Sequence, residues 1–223
     1  MGVDLIFPPR CGGCGKSGER FCSTCLASLV YLPQPQCAQC GYPLPPSGHC
    51  AASHLPATSG LAGIRSVFFF EGPMQRALHR LKYKRDIILA DSLAGLLCDA
   101  WRAYNLPGDL VIPVPLSAER LRERGYNQAS LLARAFAELT QLPYLPSGAV
   151  RIRHTVSQVK LSAAHRRENV ARAFEAKPQV VFGQTIILID DVCTTGATLA
   201  ACAQALQAAG AACVWGFTLA RAR

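Results

Sequence analysis

No apolar run in this sequence approaches the ~18–20 residues that a membrane span needs. The first ten residues, Met-Gly-Val-Asp-Leu-Ile-Phe-Pro-Pro-Arg, lack a basic stretch followed by an apolar core. A secretory signal is therefore not expected, and a cytoplasmic location is. Charged residues are only 17% of the chain and half of it is apolar, which excludes a mainly disordered or coiled-coil protein. No Gly-x-x-x-x-Gly-Lys-Ser/Thr loop occurs anywhere, so P-loop nucleotide chemistry is excluded as well. Acidic residues are scarce, 14 against 23 Lys and Arg, leaving a net charge of +9.

Cysteine, by contrast, is abundant: there are eleven, and they are not spread evenly. Seven fall in the first fifty residues, while Cys98, Cys193, Cys202 and Cys213 are scattered singly. A chain of 223 residues exceeds the usual ~100–150-residue domain, so a smaller module appended to a larger core is the natural division. Residues 1–60 carry three basic and two acidic side chains, so nearly all of the positive charge belongs to residues 61–223.

Three Cys-x-x-Cys pairs follow one another: Cys11-Gly-Gly-Cys14, Cys22-Ser-Thr-Cys25 and Cys37-Ala-Gln-Cys40. In a reducing compartment closely spaced thiols are metal ligands more often than disulfides. Two residues between thiolates, with Gly15 or Gly41 after the second, suit a turn that aims both sulfurs at one tetrahedral Zn²⁺. Cys50 with His54, or with His49, would complete a second four-ligand site. The spacing leaves open whether the pairs combine in sequence or cross-braced. Two structural zinc ions are the expectation, since a segment of this size cannot bury enough apolar surface to fold without help. Free or redox-active thiols are the alternative. After Cys40 the chain becomes rich in Pro, Ser, Gly and Ala up to Gly60, which reads as a linker and puts the boundary near residue 60.

Beyond Ile64 strand-like and helix-like segments alternate. Residues 64–70 are β-branched and aromatic, Met74, Ala77, Leu78 and Leu81 recur at helical spacing, and residues 87–101 form a longer helical stripe. Residues 109–115 are a short apolar run stopped by prolines, and Leu131, Leu132, Ala135, Phe136 and Leu139 mark another helix. Residues 185–189 are continuously apolar, as in a strand covered on both faces. A helix over residues 198–209 and a last strand over 213–219 complete an α/β pattern with a mainly parallel sheet flanked by helices.

Ligands of such sheets bind beyond the carboxyl ends of the strands. After Ile189 the sequence reads Asp190-Asp191-Val-Cys-Thr194-Thr195-Gly196-Ala197-Thr198. Adjacent carboxylates there are costly to bury without hydrogen-bond donors, and vicinal ribose hydroxyls would supply them. The turn that follows leads into a helix, offering backbone N–H groups, hydroxyls and a favourable dipole to a phosphate. A ribose 5-phosphate satisfies both halves; a helix cap beside solvated aspartates is the simpler alternative.

This segment resembles the 5-phosphoribosyl 1-diphosphate (PRPP) signature of type I phosphoribosyltransferases. The whole chain resembles the ComF family more narrowly, through the cysteine pairs, Leu81-Lys-Tyr83, Val111-Ile-Pro-Val-Pro115, Arg124-Gly-Tyr-Asn-Gln128, and the stretch from Arg153 to Phe174. The resemblance implies a type I phosphoribosyltransferase-like domain behind a zinc-binding module. Asp190 and Asp191 would bond the ribose hydroxyls, and Thr194, Thr195, Gly196, Ala197 and Thr198 would hold the 5-phosphate. Pro113, Val114 and Pro115 would form the pyrophosphate loop, with Arg124, Asn127 and Gln128 ordering it or touching pyrophosphate. Residues 155–169, with Lys160, Arg166 and Arg167, would be a flap, and Mg²⁺ would bridge pyrophosphate and ribose oxygens. The implied activity is transfer of a 5-phosphoribosyl group. The other reading is a non-catalytic, PRPP-responsive component of DNA uptake, partnered by single-stranded DNA and a ComFA-like helicase. The cationic run Arg76, Arg80, Lys82, Lys84 and Arg85 is expected to be solvated surface or a track for a nucleic-acid backbone. Cys193 is read as a filler rather than a nucleophile, because no His flanks it.

Overall fold

A computed structural model describes residues 8–50, 59–152 and 173–223. In chain order its elements are α1 (Ser23–Ala27), β1 (Gly63–Phe69), α2 (Gly72–Tyr83), α3 (Leu89–Tyr104), β2 (Leu110–Pro113), α4 (Ala118–Arg124), α5 (Gln128–Thr140), β3 (Ala149–Arg151), β4 (Phe174–Ala176), α6 (Pro178–Val181), β5 (Thr185–Cys193), α7 (Ala197–Ala208) and β6 (Cys213–Arg221).

Four strands form a sheet in the order β1, β6, β5, β2, every neighbouring pair parallel. Side chains alternate across a strand, so the apolar run of β5 serves two cores. Ile187 and Ile189 join Val111, Phe217 and Leu219 under α2, α3 and α5, while Ile186 and Leu188 join Ile112 and Val214 under α7. That division is why residues 186–189 carry no polar position: both faces of the strand are covered. The antiparallel pair of β3 and β4 lies on the α7 side, with Ala149 and Phe174 in that second core.

Helix boundaries follow local chemistry. Pro73 opens α2, where its missing N–H costs nothing. The Ser117 hydroxyl accepts from Arg120 N at the start of α4, and Gly125, at φ +83°, ends that helix. Asn127 caps α5 by accepting from Ala129 N at 3.0 Å. Among the described residues, no helix is long and apolar enough to cross a membrane.

The cysteine-rich segment lies against the free edge of β1. Leu32 N donates to Val67 O, Phe69 N to Val30 O, and Ile64 N to Gln39 O, all at 2.8–2.9 Å. An exposed edge strand is a template for aggregation, and these bonds close it. At the opposite edge Val111 bonds Pro143 O and Leu145 N in the same way. Gly41, at φ +69°, carries the cysteine segment so close to β1 that a Cβ would sit 2.4 Å from Ile64 O.

Candidate functional site

β5 continues past its apolar run because Asp190 stays in register with Thr218, Val192 with Ala220 and Cys193 with Arg221 of β6. The two carboxylates therefore sit on the strand itself, at its carboxyl end, pointing to opposite faces. Asp191 is 3% exposed. Its Oδ1 accepts from Val192 N at 2.9 Å, and its Oδ2 lies 2.7 Å from Lys82 Nζ. The second contact is an ion pair without hydrogen-bond alignment, so Oδ2 keeps acceptor capacity. Asp190 is half-buried and accepts from Asp191 N through Oδ1. Loss of water, and then the charge of Asp191 beside it, push the Asp190 carboxyl up to about 8, against the opposing pull of the Asp191 N–H and of Lys82.

Thr194 and Thr195 are exposed, and Gly196 turns the chain into α7 at φ +77°. The Thr195 hydroxyl accepts from Ala197 N at 3.3 Å. The first-turn amides of α7 have no intrahelical acceptor and point out of the carboxyl end of the sheet, as an anion site requires. The neighbouring strand, β2, ends at Pro113, and Val114 N bonds Ile189 O at 2.9 Å, which ties the next loop directly to β5.

Asn127 holds that loop from the other side, its Nδ2 donating to Val114 O at 3.0 Å while its Oδ1 caps α5. Arg124 Nη1 donates to Gln128 Oε1 at 2.9 Å, and its guanidinium lies 5.1 Å over the Tyr83 ring. Pro113, Val114, Pro115, Arg124, Asn127 and Gln128 are thus one connected structure next to the acid pair. Lys160, Arg166 and Arg167, with the rest of the expected flap, lie outside the described residues.

Of the cationic run, Lys84 and Arg85 are exposed as expected, while the three members on α2 are engaged with other parts of the chain. Lys82 is the partner of Asp191. Arg80 donates to Cys11 O at 3.0 Å and pairs with Asp86, and Arg76 donates to Gly13 O. The pairing of Lys82 with Asp191 is not legible in the sequence: the two are more than a hundred positions apart, and the only local signal is the place of Lys82 in the Leu81-Lys-Tyr83 motif.

The cysteines form two clusters in sequence order rather than cross-braced. Cys11, Cys14, Cys22 and Cys25 lie with all sulfurs within 4.8 Å of one another, and Cys37, Cys40 and Cys50 form a second such group. His49 is exposed, is outside the second group and contacts Ser47 O; His54 lies outside the described residues. Backbone N–H groups of Cys22, Cys14 and Gly13 bring the Cys11 thiol down to about 6 against the burial that raises it, while burial and the surrounding sulfurs push Cys25 up. Four sulfurs at this distance cannot all ionise without a cation among them. Four cysteine donors at the first cluster fit a closed structural zinc site, and the second supplies three among the described residues.

Residues 2–53 match the model of a double zinc ribbon domain, and residues 123–223 match that of a phosphoribosyl transferase domain. Solved structures with similar chain traces include adenine phosphoribosyltransferase from Thermoanaerobacter pseudethanolicus (16% identical, TM-score 0.39, covering 62% of this chain and 83% of that one). Another is glutamine PRPP amidotransferase from B. subtilis (21% identical, TM-score 0.41), where the match spans 58% of this chain but only 26% of the amidotransferase. The protein is a double zinc ribbon joined to an α/β domain of the phosphoribosyltransferase class.

Full-length relatives narrow the class. Competence protein F of Haemophilus influenzae is 31% identical over 222 residues, covering 95% of this chain and 90% of its own. DNA utilization protein YhgH of Salmonella typhi is 34% identical over 209 residues (90% and 89%), and competence protein ComFC of Bacillus subtilis 30% identical over 215 (92% and 86%). This chain belongs to the ComF family.

Proposed function

We propose that this protein binds PRPP at the carboxyl ends of β2 and β5 and transfers its 5-phosphoribosyl group, releasing pyrophosphate. The observation that carries the reading is the coincidence, on one strand, of the Asp190 and Asp191 pair with an anion-type turn leading into α7. Asp190 and the Lys82-paired Oδ2 of Asp191 accept from the ribose hydroxyls; Thr194, Thr195, Gly196, Ala197 and Thr198 take the 5-phosphate. The loop of Pro113, Val114 and Pro115, held by Asn127 and by Ile189 O, faces the pyrophosphate, with Arg124 and Gln128 behind it. Lys160, Arg166 and Arg167 supply further positive charge from the flap.

Carboxylate and phosphate oxygens are the hard donors that Mg²⁺ takes, so the acid pair and the substrate's own oxygens suit it, and the ion's contribution is to neutralise the departing pyrophosphate. The protein holds ribose and leaving group in place and keeps them dry as positive charge develops on the sugar. No side chain stands out as the acceptor's general base. The zinc ribbons take two structural ions, the second completed by His54, and residues 1–60 and 61–223 are the working units.

A second reading rests on the relatives' names, which refer to competence and DNA utilization. On it, the phosphoribosyl site serves DNA uptake in the cytoplasm, either catalytically or as a PRPP-responsive component contacting single-stranded DNA and a ComFA-like helicase. Calorimetric titration with Mg²⁺ and PRPP tests the shared core of both readings, and pyrophosphate release against a panel of amines and bases separates catalysis from a PRPP-responsive role. Binding lost on Asp190→Asn with Asp191→Asn supports the site. Equal affinity in wild type and the double variant would refute it.

A further inference from the structure

Besides apolar packing and the backbone bonds to β1, arginines of the larger domain donate to backbone carbonyls of the metal-binding turns. At the first cluster Arg76 reaches Gly13 O and Arg80 reaches Cys11 O. At the second, Arg65 Nη1 reaches Cys37 O at 3.3 Å and Ala38 O at 3.0 Å, and Arg221 Nη1 reaches Cys40 O at 2.5 Å. Arg221 differs from the other three. It is 4% exposed, its guanidinium lies 5.3 Å over the Tyr42 ring, and its Nε has no hydrogen-bond partner. Among the described residues no carboxylate lies within ion-pair distance of it. Its Nη1 also donates to Cys193 Sγ at 3.5 Å, and Cys193 is the last residue of β5, immediately before Thr194.

A buried guanidinium without a counter-charge is strongly destabilising. Zinc would supply one: three thiolates from Cys37, Cys40 and Cys50 around a divalent ion would leave one negative charge at the turn whose Cys40 carbonyl Arg221 contacts. We propose that Arg221 is a positioning residue that fastens the second zinc turn to the phosphate loop, so that metal at Cys37, Cys40 and Cys50 orders residues 193–198. The functional meaning rests on the reading that this loop holds the 5-phosphate of PRPP. Metal at one end and ligand at the other then assist each other, by the reciprocity that any linked pair of sites obeys.

The test reads Cys193 directly, by alkylation rates mapped with mass spectrometry on the full, zinc-loaded chain. In wild type Cys193 is protected. Arg221→Lys keeps the charge but cannot span Cys40 O and Cys193 Sγ together, and Cys37→Ser with Cys50→Ser removes the second metal. Both should accelerate Cys193 alkylation at least tenfold while the buried Cys98 and Cys202 remain slow. Arg65→Gln, at the same zinc turn but without contact to Cys193, should leave it protected. Cys193 staying protected in Arg221→Lys, or Cys98 and Cys202 opening to the same degree, would overturn the proposal. Release of zinc to a colorimetric chelator, with and without Mg²⁺ and PRPP, gives the second arm. PRPP should slow one of the two release phases several-fold in wild type and not in Arg221→Lys. An intact Cys193 response with no PRPP effect upholds the link from zinc to loop and removes PRPP as the loop's ligand.

Discussion

Replacing Asp190 by Asn should stabilise the ligand-free protein while abolishing its proposed binding function. The Asp190 carboxyl is pushed to about 8 by lost hydration and by Asp191, whereas an unfolded aspartate titrates near 3.9. A folded value above the unfolded one means that stability is fully present below about pH 4 and is lost as pH rises through about 8. At 1.36 kcal/mol per unit, the limiting cost at pH 7 is about 4 kcal/mol. Water reaching the half-buried side chain reduces this to about 2 kcal/mol, or roughly 4–8 °C in Tm for a chain of this size. Asparagine has nothing to ionise and retains an oxygen for the Asp191 N–H. Thermal melts of wild type and variant at pH 5, 6, 7 and 8 should show the variant's advantage growing with pH and levelling off near 8. An advantage independent of pH, or a variant less stable at pH 8, would refute the electrostatic argument.

Lys82→Met should strand Asp191 as a buried, uncompensated charge, costing about 2–4 kcal/mol in urea denaturation and weakening PRPP binding; adding Asp191→Asn should recover part of the stability, and no recovery would mean that the ion pair is not the cause. Gly41→Ala places a Cβ 2.4 Å from Ile64 O at φ +69°, so it should destabilise by about 2 kcal/mol or more and speed zinc loss from the second cluster, measured by chelator competition. Metal analysis of purified protein should find two zinc ions per chain. Stripping them should uncover the β1 edge and produce aggregation, seen by light scattering, whereas a metal-free protein that stays monomeric would contradict the edge-covering role.

The parts of this molecule legible in its sequence are those encoded locally. The apolar run of residues 185–189 specifies a doubly covered strand, and the spacing of Met74, Ala77, Leu78 and Leu81 specifies the buried face of α2. Asp190, Asp191 and the turn after them are contiguous, so their meeting at one end of β5 was visible without coordinates. What was not visible depends on distant pairing. The register of β6 carries β5 four residues beyond its apolar run, through Cys193. α4 buries no side chain and so leaves no periodic trace. The grouping of cysteine pairs is invisible in spacing because sequential and cross-braced arrangements use the same turns. The use of Arg76, Arg80 and Lys82 was hidden for the same reason, since each finds its acceptor in another part of the chain. That finding also changes what the positive charge means: several cations that could have faced nucleic acid are already bound to zinc-turn carbonyls and to Asp191.

The turn between β5 and α7 is the locus where the proposed function is decided. Amide hydrogen exchange resolved to single residues, with Mg²⁺ and PRPP added to the zinc-loaded protein, reads it directly. Exchange should slow at Gly196, Ala197 and Thr198, accompanied by Val114 in the facing loop. Unchanged exchange at these amides under saturating PRPP, or protection confined to another part of the chain, would contradict the proposed function.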